Sequence, residues 1–256
     1  MQITPISCLR DNFAYLIHAD GSDRALVVDP SEAAPVIAAL EAAGLTLVGI
    51  LSTHHHWDHV GGNEELCARF DDLEVYGHAS DADGGRIPGQ THRLEHEQTF
   101  EAAGLAFRAL HIPGHTTGAV AYLVEDAVFT GDTLFAAGCG RLFEGTPAMM
   151  YASLNEKLGA LPDATRVYFG HEYTENNLRF AAHVEPSNAD VKAKAERAAA
   201  LRARGEPTTP STIGEERLTN PFMRCDSAEI RHSVKLDATA TPVDVLAAVR
   251  SAKDAF

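Results

Sequence analysis

An α/β part reaching to about residue 171, followed by a smaller helical part, is the fold class that the sequence predicts, and three observations carry it. Short apolar runs alternate with helix-type segments between residues 25 and 70. Extended-type segments fill most of 74–123. After His171 the character changes, and Asp190 to Arg204 is rich in Ala, Lys, Glu and Arg, which favour helix. The boundary is placed at 171/172.

Taken in order, Ile3 to Ile17 reads as two strands joined by a turn at Asp11-Asn12. Ala25 to Val28 is a short buried strand ended by Asp29-Pro30. Ser31 is placed to cap a helix running to about Ala43, and Gly44 to terminate it. Leu45 to Leu51 is another buried strand, and Asn63 is placed to cap a short helix from Glu64 to Phe70. Val75-Tyr76, Leu105 to Ile112, Val120 to Val124 and Ala127 to Phe129 read as strands. Met150, Leu154 and Leu158 give Met149 to Leu161 helical spacing, and Val167 to Phe169 is the last clear strand. Asn176 to His183 favours helix, while a Pro/Thr/Ser stretch from Glu206 to Thr212 interrupts the helical part. Thr241-Pro242 opens a final helix with Val243, Leu246, Ala247 and Val249 on its apolar face.

With 256 residues the chain can hold one large domain, or one with an appendage. A hydrophobic fraction of 45% with 22% charged residues is that of a soluble globular protein. The formal charge of -15 excludes a general nucleic-acid binder, which needs a basic footprint. No apolar run is long enough to span a bilayer. Met1 to Ile6 lacks a basic segment followed by an apolar one, so no secretory leader is expected. Cys8, Cys67, Cys139 and Cys225 are scattered, as free thiols in a reducing cytoplasm would be.

The chemistry is concentrated where strands stop. Directly after the Leu45–Leu51 run come His54, His56, Asp58 and His59, in the order His-x-His-x-Asp-His. Gly114-His115, Gly131-Asp132 and Gly170-His171 each follow an apolar run in the same way. Glycine before a ligand lets the backbone turn tightly into a site. One Gly-His pair is usually a surface turn; four ligand-type segments at strand ends indicate convergence. Seven imidazole and carboxylate donors exceed the needs of one tetrahedral ion and suit two, bridged by a carboxylate. A donor set without thiolate suits zinc, with iron or manganese as alternatives.

These residues resemble the metallo-β-lactamase superfamily. The longer segments THHHWDHVGGN, FTGDTLFAAGCGR, FGHEYTENNLRFA and TNPFMR are similar, more narrowly, to the hydroxyacylglutathione hydrolase (glyoxalase II) family. The similarity runs from Asp11-Asn12-Phe13 to the C-terminus. It implies an αββα sandwich over 1–171 and an all-helical, substrate-binding domain over 172–256. It puts His54, His56 and His115 on one divalent ion, Asp58, His59 and His171 on the other, and Asp132 between them. It also implies that Arg141, Phe143, Tyr173, Arg250 and Lys253 contact substrate, with Arg250 and Lys253 clamping a glutathione carboxylate. Phe143 stands where the family often has Tyr. The implied reaction is hydrolysis of S-D-lactoylglutathione to D-lactate and glutathione by a metal-bridging hydroxide that Asp58 helps to hold. That reaction is the second step of methylglyoxal detoxification, and the expectation is a cytoplasmic monomer with no nucleic-acid or membrane partner.

Neighbouring residues take plainer readings. His55 is expected to face away from the ligands, His111 to be a strand residue, and Trp57 to anchor the ligand loop by packing. Cys139 is expected to pack in its loop without a nucleophilic role. The nearest alternative on such a scaffold, a glutathione persulfide dioxygenase with one iron, would leave Asp58, His59 and His171 without a metal.

Overall fold

The structure, a computed structural model, describes all of residues 1–256. The chain divides into two compact units, Met1–His111 with Gly118–Gly131, and Ile112–Thr117 with Asp132–Phe256.

The first unit contains β1 (Gln2–Cys8), β2 (Asn12–His18), β3 (Arg24–Val28), α1 (Ala33–Ala43), β4 (Thr46–Leu51), α2 (Trp57–Val60), α3 (Asn63–Arg69), β5 (Glu74–His78), α4 (Ala79–Asp83), β6 (His92–Leu94), β7 (Thr99–Ala102), β8 (Leu105–His111), β9 (Val120–Val124) and β10 (Ala127–Gly131). One sheet has the order β1-β2-β3-β4-β5-β6. Its first three strands pair antiparallel and β3 to β6 pair parallel. Parallel neighbours need crossovers, and α1 and α3 supply them between β3, β4 and β5. β2 and β3 read as unbroken apolar runs because both of their faces are covered.

Those two coverings differ. Ala14, Leu16, Val27, Ile50 and Val75 share a core with Val36 and Leu40 of α1 and Leu66 of α3. The alternate residues meet a second antiparallel group of strands in the order β10-β9-β8-β7. Tyr15 lies 5.5 Å from Phe129 of β10, and Tyr76 lies 4.8 Å from Phe100 of β7, between ring centroids. Tyr122 of β9 donates its hydroxyl to the Ser52 carbonyl at 2.8 Å, directly beneath the start of the ligand loop. Phe129 is 1% exposed, so Phe129→Ala would cost ~3–5 kcal/mol of stability.

Two expected caps are not formed. Ser31 does not cap α1, whose N-cap is Glu32 without a side-chain bond; the Gly44 terminator is left-handed, as expected. Asn63 lies inside α3, and its amide donates instead to Ser52 Oγ and the Pro88 carbonyl. The Asn63 amide is drawn into tertiary contacts that local sequence does not encode, whereas the Ser31 hydroxyl is buried without a hydrogen-bond partner.

The second unit contains β11 (Leu134–Phe135), β12 (Gly138–Cys139), α5 (Pro147–Tyr151), β13 (Arg166–Phe169), α6 (Thr174–Val184), α7 (Ala189–Ala203), β14 (Ser211–Thr212), α8 (Ile213–Thr219), α9 (Ala228–Ser233) and α10 (Pro242–Asp254). α5 runs on as a π-helical stretch over Ala152–Lys157 and a 3-10 turn over Leu158–Ala160, with Met150, Leu154 and Leu158 fully buried. α10 opens with a capping box between Thr241 and Asp244. Leu178 and Ala181 of α6 pack on Val191 and Ala198 of α7. The Glu206–Thr212 interruption ends in β14, which pairs antiparallel with β13, and Thr212 then caps α8. No helix is long and apolar enough to cross a membrane.

Candidate metal centre

β4 ends at Leu51; the loop at its carboxyl end carries His54 and His56, and the short helix α2 that follows carries Asp58 and His59, and ligands of open α/β sheets gather at such ends. Within the first unit these side chains are held by two residues outside the motif. Thr53 Oγ1 donates to Asp29 Oδ2 at 2.6 Å and lies 3.0 Å from His54 Nδ1. Asp29 Oδ2 also lies 3.0 Å from His59 Nδ1, and Asp29 Oδ1 accepts from the Thr53 amide at 2.7 Å. With Nδ1 of both imidazoles acting as donor, Nε2 of His54 and of His59 is left as the lone-pair face. Donor atoms of Asp29, His54 and His59 lie within 4.8 Å of one another. The oxygens of Asp29 already accept these hydrogen bonds, so its role is to orient the imidazoles. It does so from a left-handed backbone, at φ 48.

The remaining donors of this unit follow the same logic. His54 Nε2 lies 3.1 Å from His56 Nδ1, so the two rings point donor atoms at one place. Asn12 donates its amide to the Asp58 carbonyl at 2.8 Å and to Asp58 Oδ2 at 3.2 Å, fixing that carboxylate. Asp58 Oδ2 is 3.9 Å from His59 Nε2. His55 turns the other way, with Nδ1 3.5 Å from the fully buried Asp81 and Arg86 against its Nε2. That agrees with the expectation for His55. His111 is also as expected, a strand residue stacked on His78 at 4.0 Å. Trp57 is not as expected. It is 71% exposed on α2 and cannot be a packing anchor; Asp29, Thr53 and Asn12 steady the loop instead.

In the second unit Asp132 follows the strand end at Gly131, a glycine in left-handed conformation whose Cβ would meet Thr53 Oγ1 at 2.2 Å. Asp132 Oδ2 lies 3.5 Å from His115 Nε2 and 3.2 Å from His171 Nε2. His115 Nδ1 is 2.8 Å from the Arg141 carbonyl, which again leaves Nε2 as the donor face. Phe143 packs edge-on against His115 at 5.2 Å and is 63% exposed. Tyr173 stacks on His171 at 4.7 Å and packs against Phe135.

The cations are placed differently from one another. Arg250 is buried, donating from Nη1 to the Cys139 carbonyl at 2.8 Å and from Nη2 to Asp254 at 3.0 Å, with its guanidinium over the Phe222 ring. Lys253 donates to the Asn176 carbonyl at 3.1 Å and sits over Phe180 and Phe256. Burial, reinforced by Arg250 nearby, lowers its ammonium to about 8. Arg141 is exposed, with Nε 3.5 Å from Asp254. Cys139 is buried, which pushes its thiol up to about 11 and fits packing rather than nucleophilic chemistry. All four cysteines are free thiols.

Asp29, Asn12 and Thr53 are the site residues that sequence reasoning missed. Asp29 carries the same signal as the others, a carboxylate immediately after an apolar strand, but before Pro30 it also suits a plain strand terminator. The imidazole and carboxylate donors of each unit are of the kind that suits a divalent metal, and comparison with known proteins agrees. Residues 9–171 match the metallo-beta-lactamase superfamily, and residues 172–256 match the hydroxyacylglutathione hydrolase C-terminus. A hydroxyacylglutathione hydrolase from Synechococcus is 50% identical, covering 100% of both chains. Among solved structures, ETHE1 from Myxococcus xanthus is 25% identical with a TM-score of 0.65, covering 100% of this chain and 99% of that one. A protein solved in a di-iron-bound form is 28% identical with a TM-score of 0.60, covering 87% of this chain and 100% of that one. The chain belongs to the metallo-β-lactamase superfamily and, within it, to the hydroxyacylglutathione hydrolase family.

Proposed function

We propose that this protein hydrolyses S-2-hydroxyacylglutathione thioesters, with S-D-lactoylglutathione giving D-lactate and glutathione in the second step of methylglyoxal detoxification. The observation that carries the reading is Asp132 Oδ2, one carboxylate oxygen between the Nε2 atoms of His115 and His171. That is where a carboxylate shared by two ions belongs. His54, His56 and His115 would hold one ion and Asp58, His59 and His171 the other, with Asp132 shared, as the family resemblance implies. The donor set fits such ions: imidazoles whose outer nitrogens are tied to Asp29, Thr53 and the Arg141 carbonyl, plus carboxylates, and no thiolate. Zinc is the proposed metal, with iron or manganese the alternatives.

When bound, two such ions supply a water of lowered pKa and polarise a carbonyl. The chain's own residues do the rest. Asp58, steadied by Asn12, would ligate and also hold the attacking water or hydroxide by a hydrogen bond. Water adds to the thioester carbonyl, the carbon–sulfur bond breaks, and the acid and thiol leave. A thiol with an ordinary pKa of ~8.5 departs as thiolate without a strong protein acid. That fits a site built of metal ligands, in which the Cys139 thiol is buried and protonated.

The helical region 172–256 is proposed as the substrate-binding domain. Arg250 and Lys253 would hold a glutathione carboxylate, with Arg141, Phe143 and Tyr173 contacting the rest of the substrate. Arg250 is held by the Cys139 carbonyl and Asp254, so an anionic ligand would meet a prepositioned guanidinium. The four free thiols support a reducing compartment, and the protein is proposed to act as a cytoplasmic monomer. Release of free thiol from S-D-lactoylglutathione, lost on chelation and restored by zinc, is the expected result. Oxygen uptake with glutathione persulfide, and no thiol release, would replace the reading with a dioxygenase.

A further inference from the structure

Glu216 of α8 is fully buried and has no evident part in hydrolysis. One of its oxygens accepts from Lys194, a 5% exposed lysine of α7, and from Ser211 at 2.5 Å. The other accepts from the backbone amide of Ala137 at 2.7 Å and from the Asn220 amide at 2.9 Å. Asn220 in turn donates toward the Gly138 carbonyl at 2.9 Å and the Phe135 carbonyl at 3.3 Å. Polar groups of two helices and a loop therefore converge on one hairpin, β11–β12. Ala137 at its tip holds a left-handed backbone, φ 53, which the bond from its amide to Glu216 helps to keep.

That hairpin begins two positions after Asp132 and ends at Cys139, two positions before Arg141. The Arg141 carbonyl sets the orientation of His115, and the Cys139 carbonyl receives Arg250. We propose that Glu216 is a positioning residue for the metal centre, acting through the hairpin that joins Asp132 to the Arg141 carbonyl. The proposal rests on the reading of Asp132 and His115 as metal ligands. A purely stabilising ion pair would need neither the Ala137 amide nor Asn220. Replacement of a buried pair by apolar residues of similar volume is often neutral or stabilising, so stability alone does not explain a buried Lys–Glu pair here.

The test compares two double variants of the full chain. Lys194→Met with Glu216→Leu removes the charges and also the acceptor for Ala137. Lys194→Gln with Glu216→Gln removes the charges and keeps an acceptor. Zinc affinity is read by competition with a chromophoric chelator, alongside Tm and kcat. The apolar double variant should fold with a somewhat lower Tm, the Ala137 amide having lost its acceptor, and bind zinc about 10–100-fold more weakly, the usual loss when a ligand's supporting partner is removed. The amide double variant should bind zinc as the parent does. Parent-like affinity in a folded apolar variant, or equal weakening in the amide variant, would overturn the proposal. If the apolar variant does not fold, Asn220→Leu strips the two hairpin carbonyls of their donor with the ion pair intact; parent-like zinc affinity there overturns it as well. The zinc readout uses no thioester. A parent protein that binds zinc but leaves S-D-lactoylglutathione intact would therefore count against the proposed hydrolysis, while the role of Glu216 would still stand or fall on zinc affinity alone.

Discussion

Asp29 Oδ2 lies 2.6 Å from Thr53 Oγ1 and 3.0 Å from His59 Nδ1, so one carboxylate sets the tautomer of His59 directly and of His54 through a hydroxyl. These two imidazoles are assigned to different ions. Asp29→Ala should therefore weaken both metal positions at once, by about 10–100-fold in affinity or activity. Metal analysis after exhaustive dialysis checks this. Two retained ions with parent kcat would show that the carboxylate does not orient the ligands.

Gly140 lies where a side chain cannot go. A Cβ there would come within 2.0 Å of the Asp132 carbonyl and 2.8 Å of His115 Nδ1. Gly140→Ala is expected to displace His115 from the Arg141 carbonyl and to lower kcat by at least about tenfold. Steady-state kinetics with the metal content measured in parallel checks this, and unchanged kcat at full metal loading would count against the orienting role of that carbonyl.

The two cations of α10 should separate by experiment. Lys253→Ala should raise KM with little change in kcat, as loss of a uniform binding contact does. Arg250→Ala should raise KM and also lower stability by ~1–3 kcal/mol, because the buried Cys139 carbonyl loses its donor. Thermal melts beside the kinetics distinguish them; equal Tm for both variants would contradict the burial argument for Arg250.

Lys253 also gives a pH signature. Burial lowers its pKa to about 8, so the ammonium is lost as pH rises through that value. KM for an anionic glutathione thioester should climb above about pH 8, while Lys253→Arg, which stays charged, should remove the climb. The unfolded chain keeps this proton to higher pH, so the group's contribution to folding stability rises with pH from about 8 toward the ordinary lysine value. A KM independent of pH in the parent would remove Lys253 from the substrate clamp.

All four thiols are raised by burial, Cys139 to about 11 and Cys225 to about 12, with Cys8 and Cys67 also shifted upward. Iodoacetamide at neutral pH is accordingly expected to leave thioester hydrolysis intact, since the thiolate is the reactive form. Rapid inactivation would reopen the role of Cys139.

The donors are legible in the sequence because each sits directly after an apolar strand, a pattern visible without tertiary knowledge. What holds them is not. Asn12 reaches Asp58 across 46 positions, and Asp29 reaches Thr53 across 24, separations at which no local periodicity speaks. Asn63 misleads for the same reason, as a good capping residue whose amide the tertiary structure uses otherwise, and Ser31 because α1 starts one residue later, at an N-cap of Glu32. Trp57 misleads because a lone tryptophan beside ligands suggests packing, whereas α2 is a four-residue helix that turns it to solvent. α8 and α9 escape a sequence reading because they are short and follow a Pro-rich stretch, and their caps at Thr212 and Ser227 are clear only once the helices are known.

The central claim is a two-ion centre bridged by Asp132, and stepwise return of zinc to metal-free protein tests it most directly. Thiol release from S-D-lactoylglutathione should reach its full rate at two equivalents per chain, and Asp132→Ala should not reach it at any equivalence. Full activity at one equivalent, or a two-zinc protein that leaves the thioester intact, would contradict the account.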